Sequence, residues 1–201
     1  MNPIQKVMVI GLDLAGVETR PTGVYLLKTV GSEARILYSD QEILSYIEDN
    51  NPYLVAIDAP LTLPPGRKAI EEKNKLHFRA CDLELKKRKI PFFPITLGGM
   101  RQLTERGIHL GHQLENKGHH IIEVYPGGAQ DIFGFPRAKR NPAELRKGLK
   151  RLGLKGLYKG VSTHELDAAT AAYVGLLYLE GTAEIWGDYI TGAIVMPPAN
   201  H

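Results

Sequence analysis

The chain has 201 residues, 43% of them hydrophobic and 23% charged, with 25 Lys and Arg against 22 Asp and Glu. That is the length of one domain (1–201) and the composition of a globular protein, which excludes disordered and fibrous classes. The longest apolar runs, Val7–Ile10 and Ala168–Leu179, fall short of the roughly 18 uncharged residues that a membrane-crossing helix requires, so no membrane partner is expected.

Met1–Lys6 carries no signal-like apolar region and leads straight into a strand pattern. Cys81 is the one cysteine, so no internal disulfide can form, and a reducing, cytoplasmic setting is expected. Lys6–Leu14 is a nearly unbroken apolar run ending in Gly-Leu-Asp-Leu-Ala-Gly, which predicts a buried strand running into a turn. Gly23–Val30 and Ala34–Tyr38 are strand-like and are separated by Gly31-Ser32, completing an antiparallel meander. Asp40 is placed to cap a helix that runs to about Asp49, and Asn50-Asn51-Pro52 stops it. Tyr53–Ala59 reads as a second buried strand ending in Asp58-Ala59-Pro60. A Pro- and Gly-rich loop precedes a basic helical pattern from Ile70 to about Lys89, broken by Ile90-Pro91-Phe92-Phe93-Pro94. A further helix runs to about Asn116, and His120–Tyr125 is a third buried strand closed by Pro126-Gly127-Gly128. Pro142–Leu152 is a basic helix with Pro in its first turn, and Ser162-Thr163-His164-Glu165 opens the cleanest helix, running to about Glu180. Ile185-Trp186 and Ala193–Met196 are minor strands.

Three meander strands followed by crossover units predict an α/β fold. Its centre is a mixed five-stranded sheet, an antiparallel meander plus parallel strands, flanked by helices in the ribonuclease H-like order. Charge is unevenly spread over it. Segment 66–106 carries a net +6 and segment 137–159 a net +8, leaving the remainder at −11. An acidic body with basic segments suits an anionic polymer held against a carboxylate site, although Lys-rich solvated helix faces give the same pattern.

Asp13 and Asp58 each end an apolar run. If the two strands are parallel neighbours, both carboxylates emerge at the carboxyl edge of the sheet, where open α/β sheets place their sites. Such a pair repels, and a hard divalent cation with oxygen ligands resolves the repulsion. Asp167 lies early on the Ala-rich last helix, three residues after His164 and so on the same face. Glu165 has the capping-box spacing to Ser162 and therefore a structural role of its own. Glu123, inside an apolar strand, must be paired, neutral or metal-bound. Tyr125 and Phe92-Phe93 offer rings that could stack bases, but aromatics beside Pro in such strands are more often core.

Five motifs in order, Gly11-Leu12-Asp13-Leu14-Ala15-Gly16, Ala56-Ile57-Asp58-Ala59-Pro60-Leu61, Arg79-Ala80-Cys81-Asp82, Ile122-Glu123-Val124-Tyr125-Pro126 and His164-Glu165-Leu166-Asp167 with the alanines after it, resemble the domain-of-unknown-function family 429. The likeness spans nearly the whole chain, to Ile194-Val195-Met196-Pro197. That family is predicted to comprise nucleases of the ribonuclease H-like superfamily, related in fold to Holliday-junction resolvases. The resemblance implies that Asp13, Asp58 and Asp167 are metal-binding carboxylates for Mg2+ or Mn2+. A fourth acidic position is left between Glu123 and Glu165, and with it the choice between one metal and two.

On that basis the chain is expected to be a metal-dependent nuclease or related phosphodiester hydrolase acting on DNA or RNA. Asp13, Asp58 and Asp167 are its catalytic carboxylates and His164 orients water or shuttles a proton, unless that histidine is a cap or solvent-facing. Arg79, Lys86, Lys87, Arg137, Lys139 and Arg140 are the candidate phosphate contacts, with a local salt bridge to Asp82 as the competing role of Arg79. Two alternatives compete with the nuclease. One is an actin-like or sugar-kinase-like nucleotide-binding phosphotransferase, in which a homodimer would supply the second half. The other is a non-catalytic nucleic-acid-binding protein.

Overall fold

A computed structural model describes residues 8–199. Lys6 and Val7 of the expected first strand lie outside the described residues. Strands β1 (Met8–Asp13), β2 (Thr22–Lys28) and β3 (Glu33–Leu37) form the antiparallel meander. After helix α1 (Asp40–Asn50), β4 (Leu54–Asp58) adds parallel to β1. Helices α2 (Ala80–Lys87) and α3 (Gly99–Asn116) precede β5 (Ile121–Glu123), which adds parallel to β4. The sheet order β3-β2-β1-β4-β5 is the ribonuclease H-like arrangement that the element order predicts. Helices α4 (Pro126–Ile132), α5 (Pro142–Arg151) and α6 (Thr163–Leu179) follow, and a hairpin of β6 (Glu184–Asp188) and β7 (Gly192–Met196) ends the chain. A parallel bridge between Val124 and Val195 joins that hairpin to the end of β5. Among the described residues no helix is long and apolar enough to cross a membrane.

The two-residue period of the strands splits the core into two layers. Ile10, Leu12, Val55 and Ile57 pack with Leu110 and Leu114 of α3 and with Ile43 and Ile47 of α1. Val9, Tyr25, Leu54 and Ala56 pack on the other side, against Ala168, Ala169, Ala171 and Ala172 of α6. Helix α6 approaches unusually closely. A β-carbon at Gly11 would overlap the Ala168 carbonyl oxygen, and one at Gly23 would overlap that of His164. Backbone therefore seats on backbone, which places the first turns of α6 beside the end of β1.

Four expectations are corrected. The α1 cap is Ser39 rather than Asp40, because Ser39 and Glu42 exchange the two bonds of a capping box. The basic helix expected from Ile70 forms only as α2. Upstream of it, the buried Arg67 guanidinium donates to the carbonyls of Ala69, Ile70, Glu72 and Leu76 and to Asn74 Oδ1, drawing those carbonyls away from helical partners. Pro126-Gly127-Gly128 opens α4 instead of closing a strand, with Pro at the first helical position. Glycine is needed there, since a β-carbon at Gly128 would meet the Tyr125 ring at 2.7 Å. Phe93 is not core: it stands 68% exposed.

Candidate active site

The β1 and β4 registers align Asp13 with Asp58 across adjacent parallel strands, at their carboxyl ends. The chain turns just after Asp13, and that turn is clamped. Ala15 N donates to Thr22 Oγ1 at 3.1 Å, while the buried Arg106 of α3 donates to the Ala15 carbonyl at 2.7 Å, to the Tyr38 carbonyl at 2.7 Å and to Asp40 at 2.8 Å. Ser162 and Glu165 form the capping box of α6, so Glu165 is occupied as its spacing suggests. In the first turn of that helix, His164 Nδ1 lies 2.6 Å from Asp13 Oδ2.

Asp167 completes the group from α6. Its Oδ1 accepts a 2.7 Å bond from Gln130 Nε2 of α4. Burial is the main force lifting Asp58 well above the usual carboxylate range, and the negative charges of Asp13, Asp167 and Glu123 lift it further. The same two causes, burial first and Asp13 second, push Asp167 up to about 7, against the opposing pull of Gln130, His164 and Lys139. His164 is raised above its ordinary value, chiefly by the hydrogen bond to Asp13. Three carboxylates thus crowd one edge, and the positive groups among the described residues that act on them are a half-exposed imidazole and a loop lysine. Their oxygens are hard donors suited in kind to a divalent cation. Among the described residues, however, no set of three or more His, Cys, Asp or Glu side chains already forms a cage that could hold a metal ion.

A second acidic pair lies in the same cleft and is arranged differently. Arg79, buried, donates to Glu123 Oε2 at 2.7 Å and to Asp82 at 3.0 and 3.2 Å. Glu123 Oε2 also accepts from the Leu61 amide at 2.8 Å, and the Arg79 amide donates to Asp82 at 2.9 Å. Burial still raises Glu123 despite Arg79. Glu123 is thus ion-paired with Arg79. Arg79 also makes the bond to Asp82 that its spacing allows.

The cleft holds about 480 Å³ and is lined by Asp13, Asp58, Asp167, His164 and the Arg79 pair, together with Arg137, Lys139, Arg140, Phe92 and Phe93. Arg137 is not free. It grips Asp131 at 2.6 Å, reaches Tyr125 Oη at 3.1 Å and the Pro91 carbonyl at 3.3 Å, and Tyr125 Oη itself donates to that carbonyl at 2.6 Å. Lys139 and Arg140 are exposed and have no salt bridge among the described residues. Lys86 and Lys87 stand outside the cleft on α2, Lys86 over the Phe78 ring and Lys87 beside Glu84. Of the cations in segment 66–106, Arg67, Arg79 and Arg106 are interior and satisfied by protein groups, so its charge is only partly available to a ligand. Sequence reasoning missed Gln130, Arg106 and Arg67, since their partners lie on distant segments or in an irregular loop.

No family model matches the chain, and no curated protein matches it. Among solved structures it is similar to a Thermus thermophilus RuvC structure, at 14% identity and a TM-score of 0.47, over 88% of this chain and 98% of that one. The strand order and register, rather than this distant likeness, define the fold.

Proposed function

We propose that the chain is a metal-dependent phosphodiester hydrolase acting on nucleic acid, the activity implied by its motif resemblance to the domain-of-unknown-function family 429. One observation carries this reading: Asp13 and Asp58 aligned in register at the carboxyl edge, with Asp167 facing them and no buried cation among the three. Mutual repulsion of that kind is relieved by a bound cation, and perturbed acids converging in a cleft mark a functional site. Asp13, Asp58 and Asp167 would hold Mg2+ or Mn2+, while Glu123, engaged by Arg79, is left out of the ligand set. When bound, the metal supplies Lewis acidity toward water and a phosphoryl oxygen.

The chain's own groups have separate tasks. Asp13 accepts the Nδ1 proton of His164, which leaves Nε2 of that ring to exchange a proton with water or with the leaving oxygen. Lys139 and Arg140 contact phosphate without reading sequence. Arg137, engaged by Asp131, holds the Pro91 carbonyl and thereby the lip that carries Phe92 and Phe93.

The test is thermal shift and calorimetry with Mg2+ and Mn2+ on wild type and Asp13→Asn, followed by cleavage assays on single-stranded, duplex and branched DNA and on RNA. A metal that binds the folded state alone raises Tm by mass action, so wild type is stabilised and the variant much less. Metal-dependent cleavage by wild type, lost in Asp13→Asn, completes the expected result. No metal response and no cleavage on any substrate overturns the proposal.

A further inference from the structure

Gln130 is fully buried, and both polar atoms of its amide are hydrogen-bonded. Nε2 donates to Asp167 Oδ1 at 2.7 Å and to Thr170 Oγ1 at 3.1 Å, both on α6. Oε1 accepts the Ala138 amide at 3.2 Å. Those three bonds fix which way the amide faces. A flipped amide would set Nε2–H against the Ala138 N–H and the carbonyl oxygen against a carboxylate, two clashes in one move. The side chain therefore spans the two halves of the cleft, the carboxylate cluster and the cationic loop, and Lys139 is the residue next to Ala138.

The loop has its own internal ties, a turn in which the Arg140 and Asn141 amides donate to the Arg137 carbonyl and the Arg137 side chain on Asp131, Tyr125 and Pro91, but the bond at Ala138 is what joins it to the partner of Asp167. Residues 136–141 form no strand or α-helix, and Lys139 and Arg140 side chains are exposed. Lys139 nevertheless lies close enough to Asp58, Asp167 and His164 for its charge to act on all three. The turn and the Arg137 contacts hold the shape of the loop, and the bond at Ala138 ties that shape, and with it the backbone of Lys139, to the side chain that also holds Asp167.

We infer that Gln130 is a positioning residue that sets the register between the phosphate-binding loop and Asp167, so that a phosphate met by Lys139 lies over the carboxylate cluster. This rests on the nucleic-acid reading above and deepens it. It also predicts that Lys139 and Gln130 act as one unit, whereas a merely space-filling glutamine leaves Lys139 independent.

The test is a double-mutant cycle read as affinity for a fluorescent single-stranded oligonucleotide in the presence of Ca2+, at fixed salt. The variants are Lys139→Gln in the wild-type, Gln130→Met and Gln130→Glu backgrounds, each checked for cooperative unfolding. In wild type, Lys139→Gln weakens binding several-fold. In Gln130→Met, which keeps the volume but loses the Ala138 bond, the same change has little effect. In Gln130→Glu, one carboxyl oxygen still accepts from Ala138 and the other, when protonated, donates to Asp167, so the several-fold dependence on Lys139 returns at a pH where that proton is held. Equal losses in all three backgrounds overturn the inference while leaving the function standing. Should Gln130→Met not fold, the Gln130→Glu arm is decided by the Ala138 contact itself, followed as amide hydrogen exchange at Ala138. Slow exchange in Gln130→Glu with loss of the Lys139 dependence overturns the inference; slow exchange with the dependence retained supports it. Wild type that binds no oligonucleotide overturns the functional reading, and this inference falls with it.

Discussion

The cleft contains two acidic groups built on opposite plans. In one, Asp82 and Glu123 share the buried guanidinium of Arg79, and backbone amides of Arg79 and Leu61 supply further bonds. In the other, Asp13, Asp58 and Asp167 face one another, and their nearest protein partners are an imidazole and an uncharged amide. Asp82 and Glu123 are buried outright and the three aspartates partly so, yet burial is the leading cause raising Glu123 and Asp58 alike, so burial alone does not separate the two groups. What separates them is compensation. A buried carboxylate given its own cation is finished as a structural object, whereas one left against other carboxylates stores unfavourable energy that an added cation can release.

Removing the cation from the finished pair is the most damaging way to erase the contrast. Arg79→Met leaves two buried carboxylates without their partner and is expected to cost about 3–5 kcal/mol, read from urea unfolding, because an uncompensated buried charge is the dominant loss. A cost under about 1 kcal/mol would mean that the pair is not buried as described.

The unfinished cluster responds in the opposite direction. Asp167 has its folded pKa raised to about 7, above the ordinary carboxylate value of about 4, so its proton favours the folded state. The associated stability is fully present at low pH and is lost as pH rises from about 4 through about 7. His164, also raised, loses its contribution over the upper part of that range and beyond it. The metal-free protein should therefore show falling Tm across this window in a pH series of thermal scans. Asp167→Asn, which can still accept from Gln130, should flatten the slope and raise Tm at pH 8 by roughly 5 °C, on the order of 2 kcal/mol. A variant that is destabilised at pH 8 would place Asp167 with the structural acids.

The smallest effect belongs to a position outside both clusters. Phe93 is 68% exposed on the cleft lip. Phe93→Ala should change unfolding stability by less than about 0.5 kcal/mol, against the 3–5 kcal/mol of a core phenylalanine. A core-sized loss in urea unfolding would restore the interior role that the flanking prolines suggest.

The sequence exposes the uncompensated cluster better than the compensated one. Asp13 and Asp58 are legible because each closes a continuous apolar run, and the Ser162–Glu165 spacing marks the helix that delivers His164 and Asp167. Arg79–Asp82 is visible as a local i,i+3 pair, but its bond to Glu123 spans 44 positions and follows no periodicity. Gln130 was hidden for a related reason. It lies on a short helix that opens with Pro-Gly-Gly, a turn signature, and its value comes from partners 8 and 37 residues away. Arg67 defeats pattern reading altogether, since one guanidinium replaces the helix that the composition of 70–79 suggests.

Gly11 and Gly23 let α6 rest on the main chain of β1 and β2. The distance between the sheet edge and Asp167 is consequently set by two peptide backbones in contact, with no intervening side chain to repack. The frame thus behaves as a fixed jig into which different donors can be fitted. Exchanging Asp13, Asp58 or Asp167 for Asn, Glu or His changes the chemistry presented at the edge while leaving the jig in place. A designer seeking a different ion preference could work on those three positions and keep the two glycines untouched.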